Sequence, residues 1–230
     1  MTEPGEPRRV GVVCFDLYGT LVDLAPLDVA CEALAPGRGG PLAACWRARQ
    51  LEASWLRTAM DRWADFEVVT REALDVACAE FAVDPDPEAR EAARRSFIEL
   101  PPRAGAVEGL ANLGRAGIQL AVLSNGSSAM IEASVRSAGL DERFEALLSA
   151  DAARAYKPHP AVYQLAVDRF GEAPDRIGFV TANGWDAAGA AAHGFRVVWL
   201  RPPGAVLPAV PAPIAGEASW ATVAGQFAPA

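Results

Sequence analysis

Histidine is nearly absent from this sequence, with two in 230 residues, and cysteine is scarce, with four. Cys14, Cys31, Cys45 and Cys78 form no CxxC pair and have no histidine cluster near them, which argues against a zinc site. Scattered thiols of this kind suit a reducing cytoplasm. Runs of basic residues are also missing. Asp and Glu number 29 against 21 Lys and Arg, giving a net charge of −8. Neutralising a phosphate backbone needs clustered cations, so nucleic acid is excluded as a partner. A small anion is not excluded, because a site can be locally positive inside a negative protein. No apolar stretch approaches the ~18 residues of a membrane helix, so no membrane contact is expected. Residues 1–9 are polar and Pro-rich and lack the order of a signal peptide. The expectation is a soluble, cytoplasmic chain. Apolar residues make up 51%, enough for a real core. The length allows one domain with an insertion, or two small domains.

Short apolar runs occur at 10–15, 119–123, 177–181 and 195–200, without polar alternation. Between and after them come helix-like stretches at 106–116, 128–138, 160–169 and 185–193. This is the pattern of a parallel sheet covered on both faces. The fold class expected is α/β, with a doubly wound Rossmann-like parallel sheet. From 23 to 100 the strand pattern vanishes and helices are expected at 42–62, 70–81 and 87–98. Residues 23–100 thus read as a helical cap inserted after the first strand, and 1–22 with 101–230 as the core. Pro101-Pro102 marks the return. The Pro- and Ala-rich tail from 202 reads as loop, with one short element near 220–227.

The chemistry-bearing residues gather at the ends of these runs, and in open α/β sheets ligands bind outside the carboxyl ends of the strands. Asp16 ends the first run and is followed by Gly19-Thr20, where glycine permits a sharp turn. A carboxylate so placed can attack an electrophilic carbon or phosphorus; taken alone, it is a turn-opening Asp. Ser124-Asn125 follows the second run, where Ser124 can hold a carboxylate or oxyanion or simply belong to a helix cap. Lys157 precedes Pro158 and, alone, is a solvated loop residue. Asp186 stands near a helix start, where acidic residues offset the dipole. Each ordinary reading holds singly. The four in this order are hard to reach by chance.

The segments Phe15-Asp16-Leu17-Tyr18-Gly19-Thr20-Leu21, Leu123-Ser124-Asn125-Gly126-Ser127, Tyr156-Lys157-Pro158 and Asn183-Gly184-Trp185-Asp186-Ala187 resemble the haloacid dehalogenase superfamily. The resemblance is closest to its (S)-2-haloacid dehalogenase branch (type II), to which Trp46-Arg47-Ala48-Arg49-Gln50-Leu51-Glu52 in the cap region is also similar. It implies a hydrolase of carbon–halogen bonds that acts on a small anionic 2-haloacid, releases halide, and needs no metal or other cofactor. It implies Asp16 as the nucleophile that forms an ester with inversion, Arg47 with Asn125 as the halide cradle, and Ser124 with the backbone of Leu17 and Tyr18 as the carboxylate holder. It implies Lys157 as the cation beside the Asp16 carboxylate. Thr20, Tyr163, Thr181, Asn183 and Asp186 complete the catalytic set, and Tyr18, Leu51, Phe66 and Trp185 line the substrate. The branch often forms a homodimer, which Trp-rich cap helices suit.

The chain departs from that pattern at two places. Ala48 stands where the branch often has a long polar side chain, and Thr181-Ala182 replaces a serine pair. The magnesium-dependent phosphatases of the superfamily carry a second Asp two residues after the nucleophile and an acidic pair four apart in the last loop. Those positions here are Tyr18 and Ala182. Mg²⁺ needs anionic oxygens in near-octahedral array, so phosphatase activity is the weaker reading. Attack of the same Asp16 on another carbon electrophile, and a non-catalytic metabolite-binding protein, stand as further alternatives.

Overall fold

A computed structural model describes residues 10–209 and 216–227. The N-terminal nine residues, expected not to be a signal peptide, and part of the Pro- and Ala-rich tail lie outside the described residues. Six strands form one parallel sheet: β1 (Val12–Phe15), β2 (Gln119–Ser124), β3 (Ala146–Ser149), β4 (Ile177–Thr181), β5 (Arg196–Trp199) and β6 (Gly216–Glu217), in the order β3-β2-β1-β4-β5-β6. This is the doubly wound order, with its switch point between β1 and β4. All four residues of β1 are buried, which is why its sequence shows no alternation.

Helices cover the sheet. α5 (Ala106–Arg115), α6 (Ser128–Ser137) and α7 (Pro160–Phe170) lie against β2 and β3, and α8 (Gly184–Ala192) against β4 and β5. Between β1 and α5 come α1 (Pro26–Glu32), α2 (Gly39–Ala59), α3 (Phe66–Glu80) and α4 (Pro87–Ser96), packed on one another. Asp65 and Asp86 cap α3 and α4 by accepting from the N–H of Val68, and of Glu88 and Ala89. The chain crosses into this block at Val22–Asp23 and returns at Pro101–Arg103. The two crossings are stitched side by side by Asp23 N–H to Pro101 O (2.9 Å) and Arg103 N–H to Leu21 O (2.8 Å).

Besides short 3₁₀ turns, the described residues add a helix and two strands to the sequence reading. They are α1, the strand β3 between α6 and α7, and β6 in the tail. The terminal element is a short 3₁₀ turn at Val223–Gln226. All four cysteines are free.

Candidate active site

Asp16 is the first residue past β1, and its N–H still donates to Val180 O of β4 at 3.0 Å. It therefore sits at the switch point, held by the sheet as the chain turns away. The N–H groups of Thr20, Leu21 and Val22 all converge on the Leu17 carbonyl. Gly19 has φ of +83°, a conformation that side-chain-bearing residues avoid. The turn returns Thr20 to Asp16. Thr20 Oγ1 donates to Asp16 Oδ2 at 2.9 Å and accepts from the Ala182 N–H at 2.9 Å.

Asn183 Nδ2 donates to the same Asp16 oxygen at 2.7 Å. Asn183 is the N-cap of α8 but makes no side-chain capping bond, because its amide is turned to Asp16 instead. The other oxygen, Oδ1, accepts from Lys157 Nζ at 2.9 Å. The Lys157 ammonium also donates to Leu123 O (3.0 Å) and to Asp186 Oδ2 (2.7 Å), so its three N–H groups meet three acceptors. Asp186 Oδ1 accepts from Tyr163 OH at 2.8 Å. Asp16 is only 5% exposed, and Lys157 and Asp186 are fully buried.

The electrostatics follow from that burial. Burial opposes the Lys157 ammonium, but Asp16 and Asp186 outweigh it and raise its pKa above the usual 10.5. Burial lifts Asp186 to about 6, against the pull of Lys157 and the Tyr163 hydrogen bond. Arg47, on α2, is pulled down by burial and drawn up by Asp16, Tyr18 and Asp186, with a net fall. A guanidinium stays charged regardless. Its charge therefore acts on the same carboxylates as Lys157, and two cations face two anions.

The remaining expected residues are placed differently with respect to this cluster. Ser124 ends β2 and its Oγ accepts from the Gly126 N–H at 3.1 Å. Asn125 Oδ1 accepts from the Lys157 backbone N–H at 2.8 Å, tying the lysine's loop to the β2 loop. Thr181 has no direct bond to Asp16. Its Oγ1 accepts from the Asn183 N–H at 3.0 Å and so sets the turn that carries Asn183. Leu17 is buried beside Asp16 in sequence. Tyr18 OH pairs with Ser134 Oγ at 3.2 Å, and its ring stacks on Phe66 at 6.3 Å.

Leu51 and Trp185 are only partly buried. Trp185 meets Trp55 edge-on at 5.6 Å. The two indoles help line a cavity of about 690 Å³ whose lining does not include Tyr18, Leu51 or Phe66. The structure thus joins Tyr18 and Phe66 by ring stacking, while Trp185 lines a cavity that neither of them borders.

The expectation that every polar site residue sits at a strand end needs correction. Asp16, Ser124 and Thr181 do. Lys157 lies in the loop beyond β3 and a 3₁₀ turn at Ala150–Ala152, and Asp186 lies in the first turn of α8. The loop reaches the site because Tyr156 and Lys157 are held from both sides, by Thr58 and by Asn125.

Two residues near Arg47 escaped the sequence reading. Arg47 Nη1 donates to Gln50 Oε1, and Gln50 Nε2 donates to Thr70 Oγ1 at 2.6 Å. The readable signal was periodicity. Trp46, Gln50 and Ser54 recur every four residues on the buried stripe of α2, and an amide in such a stripe is unusual.

A buried carboxylate with an ammonium beside it and little water around it is suited to nucleophilic attack. Its suitability for a metal is poorer. Lys157 Nζ stands between the two carboxylates, and among the described residues no group of three His, Cys, Asp or Glu side chains is arranged to hold an ion.

A model of the haloacid dehalogenase-like hydrolase family matches residues 10–194. The chain is 40% identical over 194 residues to an (S)-2-haloacid dehalogenase of Pseudomonas sp. (strain YL), covering 84% of each chain. It superposes on a crystal structure of an L-2-haloacid dehalogenase with TM-score 0.92 and 35% identity, covering 96% of this chain and 99% of that one. The L-2-haloacid dehalogenase of Xanthobacter autotrophicus, solved with chloropropionic acid covalently bound, matches with TM-score 0.79 and 40% identity, covering 83% and 77%. By the family match over most of its length and by these identities, the chain belongs to the haloacid dehalogenase-like hydrolases.

Proposed function

We propose that the chain hydrolyses short-chain (S)-2-haloalkanoic acids to 2-hydroxy acids through an ester on Asp16. The observation that carries this reading is the buried Asp16, paired with Lys157 at 2.9 Å, with Tyr18 and Ala182 at the two positions where the superfamily's magnesium-dependent phosphatases carry acidic residues. Phosphoryl transfer in this superfamily would need a divalent cation among such carboxylates. Attack on carbon needs only an ionised nucleophile and a place for the halide. The names of the relatives from Pseudomonas and Xanthobacter, the latter with its covalently bound chloropropionic acid, support the same reading.

In the first step an Asp16 oxygen bonds to the substrate α-carbon as the carbon–halogen bond breaks. The electron pair leaves with the halide and the α-carbon is inverted. Ser124 and the N–H groups of Leu17 and Tyr18 hold the substrate carboxylate. Arg47 and Asn125 receive the halide, since a bare anion in a water-poor site is costly. In the second step water attacks the Asp16 carbonyl carbon; as the bond to the hydroxy acid's oxygen breaks, that oxygen takes one of the water's protons, the other leaves through Asp186, and Asp16 is restored as a carboxylate. Asp186, oriented by Tyr163, draws that second proton from the water and keeps Lys157 in position. Thr20 and Asn183 fix Asp16, with Thr181 behind Asn183. Tyr18 and Phe66, whose rings stack, shape the space for the substrate's side chain.

Residues 23–100 serve as a cap that excludes water, over a core of 1–22 and 101–230. The protein works in the cytoplasm, where its four free thiols stay reduced. It forms a homodimer, a state that apolar side chains exposed on the cap, such as Leu56 and Met60, would suit.

Single turnover of (S)-2-chloropropionate in heavy-oxygen water tests the chemistry. Label is expected in the peptide containing Asp16, with chloride release undiminished by EDTA. Phosphate release that EDTA abolishes, with no chloride release, would overturn the reading.

A further inference from the structure

Arg47 ends in a guanidinium on a flexible stem, and such a group has no fixed place until its N–H groups are committed. Nη1 is committed to Gln50 Oε1, one turn along α2. Gln50 is fully buried. An amide can be turned over, and here that would set NH₂ against the guanidinium, donor against donor. The reversal is blocked from behind. Gln50 Nε2 donates to Thr70 Oγ1 at 2.6 Å, and the single hydroxyl proton of Thr70 goes to Phe66 O at 2.6 Å. The hydroxyl can therefore only accept from Gln50, an example of a helix threonine bonding back to the preceding turn. Trp46 Nε1 donates to Thr70 O at 2.8 Å and fixes α3 against α2 at this point.

We propose that Gln50 and Thr70 are positioning residues for halide departure. Thr70 sets the polarity of the Gln50 amide, and Gln50 holds the Arg47 guanidinium with a neutral acceptor that leaves its charge free for the departing anion. A carboxylate at position 50 would hold Arg47 as firmly but neutralise it. The inference rests on the dehalogenase reading. As the Asp16–carbon bond forms and the halide leaves with its electron pair, negative charge grows at the leaving group. A contact that strengthens as charge develops lowers the barrier, and a poor leaving group depends on it most.

The test compares single-turnover rates on (S)-2-chloropropionate and (S)-2-bromopropionate, with inhibition by chloride measured alongside. Gln50→Ala is expected to slow the chloro substrate by about 100-fold, the scale of a misplaced catalytic group. The bromo substrate should slow less, so that the bromide-to-chloride rate ratio rises, while KM changes little and chloride inhibits more weakly. Gln50→Glu should move the ratio in the same direction, and Thr70→Val likewise but less. Thr70→Ser, which keeps the hydroxyl, should behave as the unaltered protein. If Gln50→Ala does not fold, the Thr70→Val and Thr70→Ser pair makes the same comparison with one polar atom removed.

Equal slowing of both substrates in Gln50→Ala and Thr70→Val, or no slowing, overturns the inference alone if Arg47→Lys still shifts the ratio. A flat ratio in Arg47→Lys as well overturns both the inference and the halide role of Arg47.

Discussion

Asp186 sends its two oxygens to different partners, Lys157 and Tyr163, and this division fixes how the site responds to pH. Burial raises the carboxyl to about 6, and Lys157, with a smaller part from the Tyr163 hydrogen bond, holds it from going higher. Asp186 is ionised above that value and neutral below it, and when neutral it no longer pairs with Lys157. Activity is therefore expected to fall as pH drops through about 6, seen as the acid limb of kcat/KM against pH. Tyr163→Phe removes a donor to the ionised form and should move that limb to higher pH; an unmoved limb would assign it to another group. The Lys157 pKa is raised, so its ammonium persists as pH rises through 10.5 and the alkaline limb should lie above that. Asp16→Asn removes the nucleophile and should cost at least about 10⁴-fold in turnover, the scale of deleting a covalent catalytic group. At this scale the sequence was highly legible for Asp16, Ser124, Lys157 and Asp186, because their order along the chain is itself the signal. Gln50 and Ser134 were not legible. Their burial depends on which face of α2 or α6 meets a neighbour, and a polar letter in a helix reads as surface until that face is known.

The contact between α7 and α8 depends on the absence of a side chain at Gly189. A Cβ there would lie 2.5 Å from Tyr163 OH and 2.6 Å from Pro158 Cβ, closer than packed atoms approach. Gly189→Ala must push α8 from α7 or displace Tyr163, at a cost of about 1–3 kcal/mol. A lower urea midpoint with an unchanged m value is the expected observation. Since the nearest atom is the Tyr163 hydroxyl, Tyr163→Phe should recover part of that loss, and a double-mutant cycle would read the coupling directly. Strict additivity would mean that Pro158 alone carries the clash. Elements with a strong local pattern were legible to within a few residues. β4 was found at its full extent and α7 within one residue, since Pro160 marks its start and Gly171 its end. β3 was not legible because Ala146-Leu147-Leu148-Ser149 contains no β-branched residue, and it is a strand only because β2 pairs with it. α1 has seven residues and no side-chain cap, too short to stand out by periodicity.

At the scale of the molecule, the site is sealed by helices that the chain enters and leaves at one place. Apart from the paired crossings at Val22–Asp23 and Pro101–Arg103, the α1–α4 block grips the Lys157 loop directly. Trp55 Nε1 donates to Lys157 O at 3.2 Å, the Tyr156 N–H donates to Thr58 Oγ1 at 3.0 Å, and Trp63 stacks on Tyr156 at 4.6 Å. Asp16 is 5% exposed and Lys157 fully buried, so release of this grip is the expected way for a substrate to reach them. Hydrogen exchange at the Tyr156 amide reports that release, since its partner belongs to the moving block. Trp55→Phe removes one hydrogen bond and keeps an aromatic ring. A net hydrogen bond is worth about 0.5–1.5 kcal/mol, so exchange at Tyr156 should accelerate roughly two- to tenfold. Strand amides of β1 and β4 should be unaffected if only the block opens. Binding (S)-2-chloropropionate to the Asp16→Asn protein, which holds substrate without turning it over, should slow Tyr156 exchange again. Equal acceleration at Tyr156 and in the central strands would point to global unfolding and sink the idea of a separate opening. Unchanged exchange at Tyr156 in Trp55→Phe would mean that the Trp55 bond does not hold the block shut.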